Sequence, residues 1–287
     1  MQLRLPRIAA RSLAVGVPTL GLLVAFTPAA GASTAASPMS AHARAVAAAR
    51  AFLEHLSVGT HATNHVVSGS ARRINGLTQV HSTNWSGYAD TSSTFSAASG
   101  HWTEPSVSCT SQTSYAAFWV GIDGFSSGSV EQDGTLAECS GGSAFYFTWW
   151  EMYPKNSIQV VGSTLQAGDS ITASVTRSGT TYTLKVTDSS RSGDSFSTSQ
   201  SCSNCANSSA EWIAEAPSSS SGVLPLADFH TWSESSASVT GSSGTGVISS
   251  FADDEITMVD SSGLVKAQPG SLNSSGNGFS VSWVRSS

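Results

Sequence analysis

Residues 181–187 read Thr-Tyr-Thr-Leu-Lys-Val-Thr, a stretch in which polar and apolar side chains alternate strictly. Successive side chains of a β-strand point to opposite faces, so this pattern predicts a strand with one face buried and the other in solvent. The preceding residues, Arg177-Ser178-Gly179-Thr180, supply a turn. The two segments together predict a strand that leaves a tight turn and forms part of a sheet.

Similar short runs of β-branched and aromatic residues recur from Trp85 onward, separated by clusters of Ser, Gly, Asn and Asp. No window of this region keeps a helical period, so the crossover helices of a parallel α/β fold are missing. About 200 residues of this kind predict an all-β protein whose body, residues 79–287, is a single β-sandwich domain. The runs predicted as strands include 115–122, 145–152, 170–176, 181–187, 211–214, 226–231, 255–259 and 279–284.

Charge divides the 287-residue chain into two parts. Residues 1–78 hold seven basic residues and one acidic residue, whereas residues 79–287 hold six basic and 18 acidic residues. All eight Trp and all five Tyr also lie after residue 78. An acidic body argues against a nucleic-acid partner, which requires a basic surface. The low content of charged residues, 11% of the chain, favours a secreted protein.

The N-terminus has the organisation of a secretory signal peptide. Arg4, Arg7 and Arg11 are followed by an apolar stretch at 13–26 and by an Ala-Gly-Ala cleavage pattern at 30–32. An N-terminal membrane anchor is the alternative, but the apolar stretch is short for a membrane span. We therefore expect residues 1–32 to be a signal peptide, the protein to be secreted to the extracellular space, and no membrane association after cleavage.

Residues 33–78 are predicted to be a pro-segment. Residues 40–57 favour a helix, because Ser40 can cap it and Ala and Leu dominate the stretch. The polar residues that follow contain the dibasic pair Arg72-Arg73, a candidate processing point. An ordinary disordered arm is the alternative. A basic segment before an acidic body indicates an intramolecular inhibitor that acidification releases.

The chain has four cysteines, Cys109, Cys139, Cys202 and Cys205. An even count in a secreted chain indicates disulfides, and four cysteines allow three connectivities. We favour Cys109–Cys139 with Cys202–Cys205. Cys202 and Cys205 form a CxxC sequence, which can also indicate redox or zinc chemistry, but no second CxxC and no thioredoxin-like pattern accompanies it.

Several catalytic classes lack their motifs in this sequence. His81, His101 and His230 are widely spaced and do not form a metal-binding pattern, and there is no G-x-S-x-G sequence. A cysteine nucleophile is unexpected if every cysteine is paired. Carboxylates, amides and aromatic residues remain as candidates, and we expect no metal and no cofactor.

Acidic and aromatic residues cluster at 118–134, 147–154 and 209–215. Residues two apart in a strand share a face, so Trp149, Glu151 and Tyr153 are predicted to point the same way. Trp119 and Asp123 share a face by the same rule. A buried acidic residue beside Trp is often a structural hydrogen-bond acceptor. Three such clusters nevertheless predict a cleft lined by Trp and carboxylates. By contrast, we interpret Asp253-Asp254-Glu255 as a solvated acidic loop.

The ordered set of motifs resembles the glutamic peptidases, peptidase family G1 or eqolisins, and in particular their bacterial secreted members. The resemblance covers residues 84–284. Its motifs are Asn84-Trp85-Ser86-Gly87-Tyr88, Trp102-Thr103-Glu104-Pro105-Ser106-Val107, Phe118-Trp119-Val120-Gly121-Ile122-Asp123-Gly124, Gln132-Asp133-Gly134, Trp149-Trp150-Glu151-Met152-Tyr153-Pro154, Ala210-Glu211-Trp212-Ile213, Ala227-Asp228-Phe229 and Ile256-Thr257-Met258-Val259.

The resemblance implies a concanavalin-like jelly roll of two curved antiparallel sheets and a catalytic dyad of Gln132 and Glu211. It also implies that Trp119, Asp123, Trp149, Glu151 and Tyr153 line or support the site. Asp133 departs from the family pattern, and we expect it to place a charge beside Gln132. The cysteine positions differ from those of fungal members, so the family does not fix the disulfide pairing.

The function implied is a secreted endopeptidase that acts in acid on polypeptide substrates, as a monomer, through an activated water. Two alternatives remain from the residues alone. A glycosidase would use Glu151 and Glu211 as its carboxylate pair. A lectin-like sandwich would only bind sugar through its Trp residues.

Overall fold

The structure is a computed structural model that describes residues 40–53, 72–74 and 77–287. The predicted signal peptide, 1–32, and the remainder of the predicted pro-segment lie outside the described residues. One α-helix, nineteen strands and two 3₁₀ turns are described. They are α1 (Ala41–Leu53), β1 (Arg72–Ile74), β2 (Leu77–Ser82), β3 (Trp85–Thr91), β4 (Phe95–Thr103), β5 (Ser114–Ile122), β6 (Val130–Ser140), β7 (Ser143–Tyr153), β8 (Asn156–Gly162), β9 (Ser170–Ser178), β10 (Thr181–Asp188), a 3₁₀ turn (Ser192–Asp194), β11 (Phe196–Ser201), β12 (Ala210–Glu215), β13 (Ser218–Ser219), β14 (Gly222–Val223), β15 (Thr231–Gly241), β16 (Gly244–Gly246), a 3₁₀ turn (Ile248–Ser250), β17 (Ala252–Val259), β18 (Val265–Pro269) and β19 (Phe279–Trp283).

The strands form two layers, which confirms the predicted sandwich. The front sheet has the order β8-β7-β6-β5-β12-β3-β17, with β2 paired parallel to β17. The back sheet has the order β11-β10-β9-β4-β15-β16 and is antiparallel. Strand β15 belongs to both layers, because its first residues pair with β19 and the rest pair with β4.

A large aromatic core fills the space between the sheets. Trp102, Trp212 and Trp232 are each at most 1% exposed. The ring of Phe118 stacks on Trp232 at a centroid distance of 5.5 Å. Burying each large apolar side chain contributes about 1.5–3 kcal/mol, so this core is the main stabilising element of the fold.

Strand β10 confirms the alternation from which the all-β fold was predicted. Tyr182, Leu184 and Val186 are fully buried, whereas Thr181 and Lys185 are exposed. The turn before β10 contains Gly179 at a φ of 62°, a conformation that glycine adopts without steric cost.

The strand predicted at 226–231 is wrong. This segment is irregular and makes only isolated bridges, and β15 begins at Thr231. His230 has a φ of 56°, and its backbone N–H donates to Asp228 Oδ1 at 3.0 Å. The side chain of Asp228 thus competes with sheet pairing for the local backbone, which ends the extended run before Thr231.

The acidic stretch Asp253-Asp254-Glu255 is not the predicted solvated loop. It lies within β17 and pairs with β3, so that Asp253 stands directly opposite Asp90. Three consecutive acidic residues gave a strong loop signal, but the surrounding strands impose the extended conformation.

Helix α1 packs on the outer face of the front sheet, the face turned away from the back sheet. Ser40 caps it as predicted, since the backbone N–H of Ala43 donates to Ser40 Oγ at 3.1 Å. Ala49 and Leu53 are buried in an apolar cluster of that face, and the Phe52 ring lies 5.7 Å from Tyr115. Among the described residues, no helix has the length and apolar character needed to cross a membrane.

Candidate active site

One row of paired residues crosses the front sheet and carries the candidate site. Glu211 on β12 pairs with Gly121 on β5, and Gly121 pairs with Gln132 on β6. Gln132 in turn pairs with Glu151 on β7. Directly paired residues project to the same face, so Gln132, Glu211 and Glu151 share the outer face. The structure therefore brings the two residues of the predicted dyad together on one face.

Gly121 separates the two dyad residues without filling the space between them. The backbones of Gln132 and Glu211 are two strand spacings apart, about 10 Å. A Cβ atom placed on Gly121 would lie 3.2 Å from the Gln132 Cβ and 3.0 Å from the Trp119 ring. A side chain at this position would crowd Gln132 and Trp119, so glycine is the residue that fits between the glutamine and the carboxyl group.

Gln132 is oriented by the carboxyl group of Glu151. The side-chain Nε2 of Gln132 donates to Glu151 Oε2 at 2.7 Å, and both residues are fully buried. Burial raises the pKa of Glu151 well above its ordinary value, an effect opposed by the Gln132 bond and reinforced by Glu215. Glu151 thus holds the amide of the dyad in a fixed orientation.

Glu211 lies in a strongly desolvated environment. Burial raises its pKa well above the ordinary value of a glutamic acid, whereas the Ser209 hydroxyl and the Phe125 backbone lower it. The charges of Asp123 and Glu131 raise it further. A carboxyl group with such a pKa can hold a proton at moderately acidic pH and is a stronger base once ionised.

Trp119 and Trp149 lie fully buried on the same face as the dyad. The indole N–H of Trp119 donates to Glu215 Oε2 at 2.8 Å, and Asn84 Nδ2 donates to Glu215 Oε1 at 2.9 Å. Neither Glu215 nor Asn84 was among the predicted site residues. The signal was present for Glu215, because it is four residues after Glu211 in one strand and so shares its face.

Asp123 supports the site from outside the row of paired residues. It has a φ of 69°, and its carboxylate accepts from the backbone N–H groups of Asn207 at 2.7 Å and Ser208 at 2.8 Å. These residues lead directly into β12. Asp123 therefore fixes the chain that enters the strand of Glu211.

Tyr153 lies at the end of β7 and lines a cavity of about 640 Å³. The cavity is bounded by the Tyr153-Pro154-Lys155 turn, by Glu131 and by residues 201–206. The Lys155 ammonium group donates to the Ser201 carbonyl at 2.9 Å and joins the two sides. Tyr153 is thus near the end of the sheet that holds the dyad.

Asp133 does not place a charge beside Gln132. Adjacent residues of a strand point to opposite faces, and Asp133 points between the two sheets. Its pKa is raised well above the ordinary value by burial, and the backbones of Lys185 and Ser174 act in the opposite direction. The expectation was wrong because Gln132 and Asp133 are neighbours along the chain, but the alternation of β6 directs their side chains to opposite faces.

Both favoured disulfides are present, Cys109–Cys139 and Cys202–Cys205, with Cα–Cα distances of 5.2 and 5.8 Å. Within the described residues, Glu131 and the two sulfur atoms of Cys202 and Cys205 lie within 4.8 Å of one another. Because these sulfur atoms are joined in a disulfide, they are not thiolate ligands, and the CxxC sequence closes a loop.

Residues 83–282 match the Peptidase A4 family. The solved structures that are similar to this chain include the following three. Scytalido-glutamic peptidase with a transition state analogue inhibitor is 26% identical over 70% of this chain and 98% of that chain, with a TM-score of 0.59. SCP-B, an eqolisin in complex with the tripeptide Ala-Ile-His, is 25% identical over 70% and 98%, with a TM-score of 0.56. Aspergilloglutamic peptidase from Aspergillus niger is 25% identical over 60% and 99%, with a TM-score of 0.52. No curated protein sequence matches significantly.

Proposed function

Because the chain belongs to the Peptidase A4 family of glutamic peptidases, and is therefore a peptide-bond hydrolase, we propose that Gln132 and Glu211 form its catalytic dyad. The observation that carries the proposal is the row Glu211–Gly121–Gln132–Glu151, which aligns three polar side chains on one face. The amide and the carboxyl group that the reaction needs thus lie on one face, with only a glycine between them in the row.

In the proposed reaction the carboxylate of Glu211 removes a proton from water as the water oxygen attacks the carbonyl carbon. The same carboxyl group then delivers that proton to the amine as the C–N bond breaks. The products are a carboxylic acid and an amine, and no covalent enzyme intermediate forms. The raised pKa of Glu211 lets the carboxyl group hold the proton between the two steps and makes its ionised form a strong base. Because Glu211 is mostly protonated in acid, the first step proceeds from the ionised fraction of the enzyme.

Gln132 has a different role in this mechanism. Its amide Nε2 donates to Glu151 and carries two N–H groups. In the reaction an N–H of this amide would donate to the negative oxygen of the tetrahedral intermediate, and a donor of this kind contributes about 10²–10³ to kcat. Glu151 acts through Gln132 and is a positioning residue.

The carboxyl groups around the dyad support activity in acid. Asp123, Glu131 and Glu211 influence one another electrostatically in a buried environment. Burial favours the neutral forms of Glu131 and Glu211, and their ionisation as the pH rises would set like charges close together and disturb the site. An amide at Gln132 keeps its donors at any pH, so the proposed chemistry persists in acid.

The proposed function is tested by incubating the acid-treated full-length protein with an unfolded protein substrate from pH 2 to 8. We expect cleavage on the acid side of neutrality, insensitive to pepstatin, and near-complete loss in Gln132→Ala and Glu211→Ala. Gln159→Ala, a glutamine on neighbouring β8, is the matched control and should keep full activity.

Two results would contradict the proposal: a pH optimum at 7 or above, or a Gln132→Ala variant with nearly full activity. The second result is what the alternative with Glu151 and Glu211 as a glycosidase pair predicts. Their backbones lie three strand spacings apart, about 14 Å, which is wide for such a pair.

We also propose that the segment containing α1 inhibits the enzyme before it is removed. Leu53 is fully buried, and Arg50 donates a hydrogen bond to the Val160 carbonyl on β8. The helix lies near Tyr115 and Glu138, six residues along β5 and β6 from the dyad row, or about 20 Å. It therefore anchors the segment on the outer face without covering Gln132 or Glu211 itself.

The inhibitory role is tested with Leu53→Asp in the full-length protein. This change places a charge in the apolar contact, so we expect cleavage to start at a higher pH and after a shorter lag than in wild type. Ala47→Asp adds the same charge on the exposed side of α1 and should behave as wild type. Equal lag times for both variants, or inhibition by an added pro-segment peptide that is as strong at pH 4 as at pH 7, would contradict the proposal.

Secretion remains a proposal, supported by the N-terminal sequence pattern and by two disulfides, which form in oxidising compartments. Expression in a secreting host should yield protein in the medium that lacks residues 1–32, as mass spectrometry would show. Intracellular protein with an intact N-terminus would contradict it. The monomeric state also remains a prediction, to be checked by sedimentation.

A further inference from the structure

Glu131 directly precedes Gln132 but has no part in the mechanism above. Its side chain points to the face opposite that of Gln132, is fully buried, and lines the 640 Å³ cavity at the end of the sandwich. A buried carboxyl group costs free energy unless it is well bonded, so its partners are informative.

Both carboxyl oxygens of Glu131 are buried, and neither accepts a hydrogen bond from another described residue. The charge of a second carboxyl group, that of Asp123, acts on Glu131 directly. A buried carboxyl group without donors is more stable when protonated, and its O–H then needs an acceptor such as the carboxylate of Asp123. Asp123 already accepts from Asn207 N at 2.7 Å, Ser208 N at 2.8 Å and Ser208 Oγ at 3.0 Å. Those bonds require an acceptor at Asp123, so the proton belongs to Glu131.

This pair of carboxyl groups connects the three segments that hold the site. Asp123 follows Gly121 by two residues, Glu131 adjoins Gln132, and Ser208 is three residues before Glu211. The backbone N–H of Asp123 also donates to the Ser209 carbonyl at 3.0 Å. The link from Glu131 through Asp123 to the 207–209 loop thus runs between the two dyad residues, behind the sheet face on which they act.

We propose that Glu131 is a positioning residue whose proton, donated to Asp123, holds the 207–209 loop and thereby sets the placement of Glu211 relative to Gln132. The inference rests on the proposed function, because it assumes that this dyad is catalytic. It adds a residue outside the dyad face on which the geometry of the dyad depends.

The charged and titratable groups around Glu131 are consistent with a retained proton. Burial and, second, Asp123 raise the pKa of Glu131 to about 10, against the opposing effects of Arg177 on β9 and the Ser129 hydroxyl. Glu211 on β12 and Tyr182 on β10 are also influenced by the charge of Glu131, and Lys155 lines the same cavity. A second negative charge here would repel both Asp123 and Glu211.

The test compares Glu131→Gln with Glu131→Leu in the acid-treated full-length protein at pH 4. Gln can still donate to Asp123, whereas Leu has a similar size and no donor. We expect Leu to lower kcat about 100-fold, with a much smaller change in KM, because displacement of a catalytic group has effects of this size. Gln should restore kcat to near the wild-type value. Glu138→Gln, a buried carboxyl near the other end of β6, is the matched control and should leave kcat unchanged.

Glu131→Asp keeps the inference testable if Glu131→Leu does not fold. Asp keeps the titratable group but is one methylene shorter, so we expect a lower kcat than with Gln. Equal kcat values for Gln and Leu, or a higher kcat for Asp than for Gln, would overturn the inference. If wild-type protein cleaves no peptide, the proposed function itself has failed, and that outcome is distinct from cleavage that is independent of residue 131.

Discussion

In the central strands of the front sheet both faces are buried, whereas strand β10 of the back sheet has one face in solvent. In β10, buried and more exposed positions alternate, and Thr181 and Lys185 face solvent. In β5 all nine residues are buried, so both faces are covered. Polar groups on the outward face of β10 are solvated, whereas those on the outer face of the front sheet must find partners within the protein.

This difference in burial indicates where catalytic chemistry can occur in this fold. The outer face of the front sheet carries Gln132, Glu151, Glu211 and Glu215 among Trp side chains. Removal from water raises the pKa of Glu151 and Glu211 and strengthens the electrostatic interactions there. The same carboxyl groups on the solvated face of β10 would behave as ordinary surface acids.

Adding a side chain between the dyad residues should have the largest effect on this face. Gly121→Ala places a Cβ 3.0 Å from the Trp119 ring and 3.2 Å from the Gln132 Cβ, so these side chains must shift to make room for it. We expect kcat to fall about 100-fold, since small displacements of catalytic groups are this costly. Gly193→Ala adds the same methyl group in a 3₁₀ turn where the nearest atom is 3.5 Å away, and should leave kcat unchanged. Equal kcat values in Gly121→Ala and wild type would show that the dyad does not depend on a glycine between its two residues.

Removing the acceptor that orients Gln132 should have a smaller effect. Glu151→Leu leaves the Gln132 amide without its 2.7 Å bond, and we expect kcat to fall about tenfold, the equivalent of about 1.4 kcal/mol, which is within the range for one hydrogen bond. Glu151→Gln keeps an acceptor oxygen at this position and should lie between wild type and Leu. Steady-state kinetics at acid pH measure both. The reverse order of the two variants would mean that the charge of Glu151, and not its acceptor, is what matters.

The smallest predicted effect concerns the pH dependence of stability. Asp90 stands opposite Asp253 in the front sheet, and burial, together with Asp253 and Asp254, raises its pKa to about 9. Because the pKa of Asp90 is raised in the folded state, its contribution to stability is complete below about pH 4 and is lost as the pH rises toward 9. Asp90→Asn should therefore raise the melting temperature at pH 8 and leave it nearly unchanged at pH 4.

Asp260 is the control of opposite sign for that measurement. Hydrogen bonds from Ser262 and Leu264 lower its pKa to about 2, and Arg285 contributes in the same direction. Its contribution is present above about pH 4 and is lost as the pH falls toward 2. Asp260→Asn should therefore lower the melting temperature at pH 8 but not at pH 2. If Asp90→Asn also lowered the melting temperature at pH 8, the pKa direction assigned to Asp90 would be wrong.

Much of the fold could be predicted because strands with one solvated face leave an alternating pattern. Residues 181–187 gave β10 almost to its ends. The pattern disappears where both faces are buried, as in β5, and there the aromatic and β-branched composition was the remaining signal. The segment 226–231 was mispredicted because the Asp228 side chain reorganises the local backbone, which composition does not reveal.

The candidate site could be predicted only in part. The motifs indicated Gln132 and Glu211, but their alignment depends on β12 pairing with β5 across about 90 residues of sequence. The orientation of Asp133 and the role of Gly121 follow from that register. Contacts between distant strands also explain why Glu215, Asn84 and the pair of Glu131 with Asp123 were missed.

The most direct test of the shared role of Gln132 and Glu211 is a double-mutant cycle on kcat at the acid optimum. It compares wild type, Gln132→Ala, Glu211→Gln and the double variant with one peptide substrate. Residues that act as one unit have non-additive effects, so we expect the double variant to be about as slow as the slower single variant. A double variant whose loss equals the product of the two single losses would contradict a catalytic dyad.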